Sequence, residues 1–365
     1  MPELRRVAIV QELLAQYRVP FYEQLRDLLR SDGVELELIH GSARGARARR
    51  GDEANIPWAT QVENRHVGPF VWQPVRRHLA GTDLVIVEQA NRQLINYLLL
   101  SPLSPVGRVA LWGHGGNLQG SSTSIRERWK KLVLRRAHWF FAYTDGSAQR
   151  ARSAGFPEER VTVVNNASPA LPADHDSVRI PGRCVFLGSL TPEKRLDVLV
   201  SAGDELSRTV QGFELIVIGD GEERARLEQL AEARPWLRVM GHRSGVEKAQ
   251  LVRSAQLLLN PGLIGLVAVD SFHAETPLVA VTAATHSPEF EYLTPENSLV
   301  LPSTCRGADL AEATVSLLSD QARLLALRQG CHTSALHFTI EAMAHNFHRG
   351  ILDAMESRSS KRADR

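Results

Sequence analysis

Cysteine is scarce in this 365-residue chain: Cys184, Cys305 and Cys331 stand far apart, without paired ligand spacing. Their scatter argues against a structural zinc site and favours reduced thiols in the cytoplasm. Long apolar runs are missing too. No stretch reaches 18 apolar residues, and MPELRRVAIVQELL lacks a secretory pattern and flows directly into a strand. No Gly-x-Gly-x-x-Gly turn follows that strand, which argues against an NAD oxidoreductase. Asp174 and Asp176 have the Asp-x-Asp spacing of a metal motif but lie in a proline-rich segment that suits a linker, so no metal site is expected. Aromatic residues make up 6% and barely interleave with the basic ones, so without a recognisable binding module nucleic acid is not an expected partner.

What is present fits a large globular protein. Hydrophobic residues at 43% and charged residues at 23% are near the globular norm, and the length allows two domains, each with its own core. The net charge of +2 hides an asymmetry: residues 1–170 hold 23 Lys and Arg against 16 Asp and Glu, a surplus of 7, so the remainder carries −5. A basic half invites an anionic partner. In SIRERWKKLVLRRA, Ile125, Trp129, Leu132 and Val133 form an apolar stripe, with Arg126, Arg128, Lys130, Lys131 and Arg135 supplying charge. That pattern suits peripheral contact with an anionic membrane surface at its inner face, although a helix turning its stripe to a core looks the same.

Apolar β-like runs occur at Arg6–Val10, Val34–Ile39, Leu84–Val87, Val109–Trp112, Trp139–Tyr143 and Val161–Val164, and again near residues 184, 215, 238, 256, 278 and 298. Helical or loop stretches separate them. The alternation predicts an α/β protein with parallel sheets covered on both faces. Residues 1–167 form one expected domain, the period-free stretch 168–182 a linker, and residues 183–335 a second domain. Residues 336–356 read as a helix, with Phe338, Ile340, Met343, Phe347, Ile351 and Met355 at broadly helical spacing, and residues 357–365 as a disordered tail.

Residues 261–289, PGLIGLVAVDSFHAETPLVAVTAATHSPE, combine a glycine-flanked turn, a helix start with an acid in it, and a strand. Gly262 and Gly265 would let backbone approach a ligand closely, and amides around Leu266 and Val267 at a helix start favour phosphate. Asp270, about one turn deeper, could accept hydrogen bonds from ribose hydroxyls. A tight strand-to-helix connection alone would explain the same residues, but CVFLGSLTPEKRLDVLV repeats the plan. There a strand ends at Gly188, Pro192 suits a helix start, and Lys194 falls in the first turn, at the end where sheet ligands bind. ELIVIGDGEERARLEQLAEA repeats it once more.

GSLTPEKRLDVL, IVIGDGEERARLEQLA, VMGHRSGVEKAQLVRSAQLLLNP and GLVAVDSFHAETPLV resemble, in order and spacing, the C-terminal half of the group 1 glycosyltransferases (family 4). The resemblance spans residues 183 to about 303 and extends more loosely through the N-terminal half. It implies a GT-B fold, two Rossmann-like doubly wound domains facing a central cleft, with a terminal helix crossing back to the N-terminal domain. It also implies a retaining, metal-independent transferase that needs no cofactor beyond its nucleotide diphosphate-sugar co-substrate. The acceptor would be a carbohydrate or lipid-linked hydroxyl, as in cell-surface polysaccharide or glycoconjugate biosynthesis.

Carried onto this chain, the donor site comprises Gly188, Ser189, Lys194, Gly262, Leu263, Ile264, Gly265, Leu266, Val267 and Asp270. The family usually has an arginine where Ser189 stands, so Lys194 is left as the charge for the pyrophosphate. Of the family's two acids eight positions apart, the sugar-contacting one falls on Gly262 and the ribose-contacting one is Asp270. Glu275 stands where a glycine is common. In the N-terminal half His114, after a strand in RVALWGHGGNLQG, is the catalytic candidate and resembles a histidine found near the donor sugar in many members. Tyr17, Arg18, Glu88 and Asn91 are acceptor-side candidates. Two other functions remain open at this level: a nucleotide-sugar 2-epimerase of the same fold, and a catalytically degenerate nucleotide-sugar-binding subunit suggested by Gly262 and Ser189.

Overall fold

The structure, a computed structural model, describes residues 5–42, 53–116, 135–172, 178–283 and 285–357. Most of the basic stretch 124–137, Asp174, Asp176 and the tail from 358 lie outside these residues. Two compact units emerge: Met1–Pro169 with Ile340–Arg365, and Ala170–Thr339.

The first unit carries β1 (Arg5–Gln11), α1 (Val19–Ser31), β2 (Val34–His40), β3 (Thr60–Gln61), β4 (Arg65–Val67), β5 (Phe70–Trp72), β6 (Leu84–Glu88), α2 (Leu94–Leu99), β7 (Val109–Gly113), β8 (Trp139–Ala142), α3 (Asp145–Ser153) and β9 (Val161–Val163). Its seven-stranded sheet runs β3-β2-β1-β6-β7-β8-β9, with every pairing parallel. Strands such as Val7–Val10 are apolar throughout because both faces are covered. On one face Val7 and Ile9 pack with Phe21, Leu25 and Leu29 of α1; on the other Ala8, Val10, Val85 and Val87 pack with Ile95, Leu99, Ala148 and Ala151. Pro20 suits the start of α1, and Thr144 caps α3 by accepting the Ser147 amide at 3.2 Å. Short β3 and the antiparallel β4–β5 pair were not expected, being too short and too exposed for an apolar period.

The second unit carries β10 (Arg183–Leu187), α4 (Leu196–Thr209), β11 (Glu214–Ile218), α5 (Arg224–Ala231), β12 (Leu237–Gly241), α6 (Gly245–Arg253), β13 (Leu257–Asn260), α7 (Val267–His273), β14 (Leu278–Val281), β15 (Ser298–Leu301), α8 (Gly307–Ser319) and α9 (Gln321–His337). Its sheet is also parallel, in the order β12-β11-β10-β13-β14-β15. Phe186, Val217 and Leu259 face α4 and α8, whereas Ile216, Leu258 and Ala280 face α6 and α7. Arg179, inside the stretch read as linker, is fastened to this unit: its guanidinium donates to the carbonyls of Arg253, Ala255, Ala274 and Glu275 and to Thr276 Oγ1.

The C-terminal helix is interrupted. Phe338 leaves helical geometry and stacks on Tyr292 at 3.8 Å, so residues 336 and 337 end α9 rather than begin the last helix, α10 (Ile340–Glu356). Ile340, Met343, Ala344, Phe347, Ile351 and Ala354 then bury one face of α10 in the core of the first unit. Phe347 stacks on Phe141 with centroids 4.4 Å apart, and at Gly350 a Cβ would lie 2.8 Å from the Phe141 ring.

Candidate functional site

Both sheets change winding direction once, β1 beside β6 and β10 beside β13, and in such sheets ligands bind beyond the carboxyl ends of the strands at that point. The sequence-selected residues fall at these two strand ends, and each group is built within its own unit.

In the second unit the chain leaves β10 through Gly188, whose φ of +153° is open to glycine, and a Cβ there would lie 3.3 Å from Lys194 Nζ. Ser189 follows, half-buried. Lys194 closes a short 3-10 turn that begins at Pro192; it is 6% exposed and donates to the carbonyl of Leu263. Burial pulls its ammonium down to about 8, against a small opposing effect of Glu193. Such an ammonium, poorly solvated and held by a neutral carbonyl, would gain much from an anion.

Gly262 has a structural cause. A Cβ at this position would lie 2.3 Å from the carbonyl oxygen of Glu193 and 2.4 Å from the Lys194 Cα, so the backbone of the lysine turn occupies the space of any side chain. No larger side chain, including the acid that the family resemblance implies here, can be accommodated in this packing. The first amides of the glycine turn are already engaged within the unit. Gly262 donates to Asn260 Oδ1 at 3.2 Å, Leu263 to the Glu193 carbonyl at 2.9 Å and Ile264 to His286 Nδ1 at 3.1 Å. Gly265, Leu266 and Val267, around which the phosphate-facing amides were expected, precede the first internal bonds of α7, which begin at Ala268. With seven residues, α7 has a small dipole, to which the Lys194 ammonium beside the Leu263 carbonyl adds a full positive charge.

Asp270 is 9% exposed and its Oδ1 accepts from Lys248 Nζ of α6 at 2.9 Å. Glu275 lies past the opposite end of α7. Its φ of +51° explains why glycine suits the position, and its carboxylate turns to His332 Nδ1 at 2.8 Å, away from the turn. The sequence did not single out His286, which stacks on Phe290 at 3.8 Å while pinning Ile264, or Lys248, although the latter lies within one of the four motifs; packing brings both to the turn and its helix.

In the first unit, the ends of β1, β6 and β7 bring Glu12, Glu88 and His114 to the same edge. Glu88 accepts from Gln93 Nε2 at 2.6 Å and from the backbone of Glu12, whose own Oε1 is 2.6 Å from Arg92. Burial and then the Glu12 charge push Glu88 up to about 7. His114 packs against Tyr143 with centroids 4.8 Å apart, its carbonyl accepts from Arg150 at 3.0 Å, and its buried Nδ1 has no hydrogen-bond partner among the described residues. Burial, helped by the Arg150 charge, lowers it to about 4, so the imidazole is neutral at pH 7. Tyr17 is 41% exposed, and Asn91 is exposed with its carbonyl accepting from Tyr97 at 3.0 Å. Arg18 differs from the expectation of an acceptor-side cation. It is buried, donates to Asn166 Oδ1 at 2.5 Å and to Met343 Sδ at 3.4 Å, and lies over the Trp112 ring, so its charge serves the interior. Glu12 and Arg92 join the site as residues the sequence did not single out; the polar pair Gln11-Glu12 directly after an apolar strand was the available signal.

Known proteins are similar to this chain in sequence and in fold. Residues 181–320 match the family described as Glycosyl transferases group 1. A phosphatidyl-myo-inositol mannosyltransferase of Mycolicibacterium smegmatis is 24% identical over 276 residues, 70% of each chain. A 2-deoxystreptamine glucosyltransferase of Streptomyces kanamyceticus is 26% identical over 312 residues, 79% of this chain and 76% of that protein. Among solved structures, Anabaena HepE in complex with UDP-glucose superposes with a TM-score of 0.68 at 17% identity, covering 95% of this chain and 99% of that one. The pneumococcal O-GlcNAc transferase GtfA in complex with UDP and GlcNAc gives 0.71 at 12% identity, covering 97% and 100%. The structural likenesses establish the GT-B fold. With the matched family and the four ordered motifs, the second unit is similar to that of the group 1 glycosyltransferases, and the protein is a nucleotide-sugar-dependent glycosyltransferase.

Proposed function

We propose that the protein moves a sugar from a nucleoside diphosphate donor to a hydroxyl of a carbohydrate or lipid-linked acceptor, with retention and without a metal ion. The observation that carries this reading is Lys194: a buried ammonium whose hydrogen-bond partner among the described residues is a backbone carbonyl, beside a turn whose next three amides precede the helical bonds. As the sugar bond breaks, negative charge grows on the leaving diphosphate. A fixed ammonium and aligned amides stabilise that charge without reorganising, which is where the rate gain arises. Asp270 faces the ribose in this reading, and His114 is the catalytic residue of the first unit, a neutral imidazole with an open Nδ1 for a sugar hydroxyl. Tyr17, Glu88 and Asn91 are proposed on the acceptor side, joined by Glu12 and Arg92. The need for glycine at position 262 favours an active enzyme over a degenerate subunit, because packing alone accounts for the missing acid.

UDP is the first candidate for the donor nucleotide, since HepE and GtfA were both captured with UDP or a UDP-sugar. A peripheral membrane contact is proposed on the sequence of residues 124–137; among the described residues no helix is long and apolar enough to cross a membrane. The test is a panel of UDP- and GDP-sugars incubated with excess EDTA, read first by thermal stabilisation and then by product formation on carbohydrate and lipid-linked acceptors. Stabilisation by one nucleotide sugar and transfer in EDTA are expected. Transfer only after magnesium or manganese is restored would overturn the metal-free mechanism, and conversion of the donor without any acceptor would favour the epimerase.

A further inference from the structure

Lys248 has no role in the reading above, yet it reaches from α6 to Asp270 of α7, with side chains 22% and 13% exposed. Its sequence neighbour Glu247 is engaged by Arg243 at 2.6 Å, and among the described residues the carboxylate that meets Lys248 is Asp270. The pair is not needed to join the two helices. Ala249 and Val252 of α6 already share an apolar core with Ala268 and Phe272 of α7, and a partly buried ion pair adds little net stability once its desolvation is counted. What it adds is chemistry. The ammonium has three N–H donors and spends one on Oδ1, while the carboxylate keeps the acceptor capacity of its second oxygen. Donor and acceptor therefore stand side by side, one helical turn past the amides of Gly265 to Val267. That is the complement of a vicinal diol, in which each hydroxyl both donates and accepts.

We propose that Lys248 and Asp270 act together as a clamp on the 2′- and 3′-hydroxyls of the donor ribose, which makes Lys248 a donor-binding residue. The proposal rests on the reading that Asp270 faces the ribose. Calorimetry on the full-length protein tests it, with UDP, GDP, ADP and CDP each set against its 2′-deoxy counterpart. The wild type binds its preferred ribonucleotide about tenfold more tightly than the deoxy form, the size of one charge-assisted hydrogen bond. Lys248→Met loses about tenfold for the ribonucleotide and little for the deoxynucleotide, so the ratio collapses, whereas Lys248→Arg keeps most of it. An unchanged ratio in a folded Lys248→Met overturns the clamp. Should that variant fail to fold, Lys248→Gln reads the same ratio without the charge, and an undiminished value is equally fatal. Loss of discrimination in Asp270→Asn but not in the lysine variants would leave the ribose assignment standing and remove Lys248. A wild type that binds none of the four nucleotides overturns the functional reading and the clamp with it.

Discussion

The two units share a plan of parallel strands and covering helices, but they build their sites from different materials. In the second unit the site is mostly backbone: the Gly262–Val267 turn, the Leu263 carbonyl and a lysine packed so closely that residue 262 has no room for a Cβ. In the first unit the site is mostly side chain, with Glu12, Glu88, Arg92 and His114 arriving from the ends of three strands. A backbone site tolerates little change in shape, and a diphosphate presents the same shape whatever sugar it carries. A side-chain site can be re-lined one residue at a time, which suits a partner that differs between transferases.

The contrast can be broken most severely at Gly262. Gly262→Ala forces a methyl group against the Glu193 carbonyl, so unfolding free energy should fall by about 2 to 3 kcal/mol and nucleotide binding should be lost with it. Gly262→Glu, which introduces the acid that the family resemblance implies here, should be worse rather than better. Normal stability and donor affinity in either variant, by denaturant titration and calorimetry, would show that the turn is not rigid.

Lys194→Ala should leave the fold intact and weaken nucleoside diphosphate binding by about 1.5 to 3 kcal/mol. A pH signature accompanies it. Below about 8 the free ammonium is charged and binding is pH-independent; above about 8 the free protein must take up a proton to bind, so affinity falls by up to about tenfold per pH unit. The slope should vanish in Lys194→Met.

On the side-chain side, Glu88 is expected to change behaviour without changing shape. Its folded value near 7 lies above the ordinary 4.5, so the stability it contributes is complete below about 4.5 and is lost as pH rises through about 7. Glu88→Gln should therefore flatten the melting temperature between pH 5 and pH 8, recovering on the order of 2 kcal/mol at the upper end. A parallel pH dependence in variant and wild type would place the carboxyl in water.

The smallest effect is a control within the second unit. Glu275→Gly relieves a left-handed backbone position and gives up an exposed pair with His332, for a net stabilisation of no more than about 1 kcal/mol. Donor affinity should not move. A change in affinity would mean that the far end of α7 communicates with its first turn.

How much was legible in the sequence follows the same division. Strands such as β1, β6, β7 and β13 could be read because parallel strands covered on both faces are largely apolar, and the Gly262–Val267 turn and the Lys194 turn because glycine, proline and lysine at fixed spacing announce a backbone geometry. The break between α9 and α10 was hidden, since Phe338 fits the helical period of its neighbours and only its stack on Tyr292 shows that it belongs to the second unit. The sequence by itself determined the alternation of strands and helices, the order of the four motifs and the place of Lys194 in the turn that follows Gly188. Only the tertiary structure decided that Arg18 serves the interior, that Gly262 yields its side-chain space to the lysine turn, and that Asp270 is paired with Lys248. Those outcomes depend on contacts between residues far apart in the chain, and periodicity and spacing are properties of neighbours.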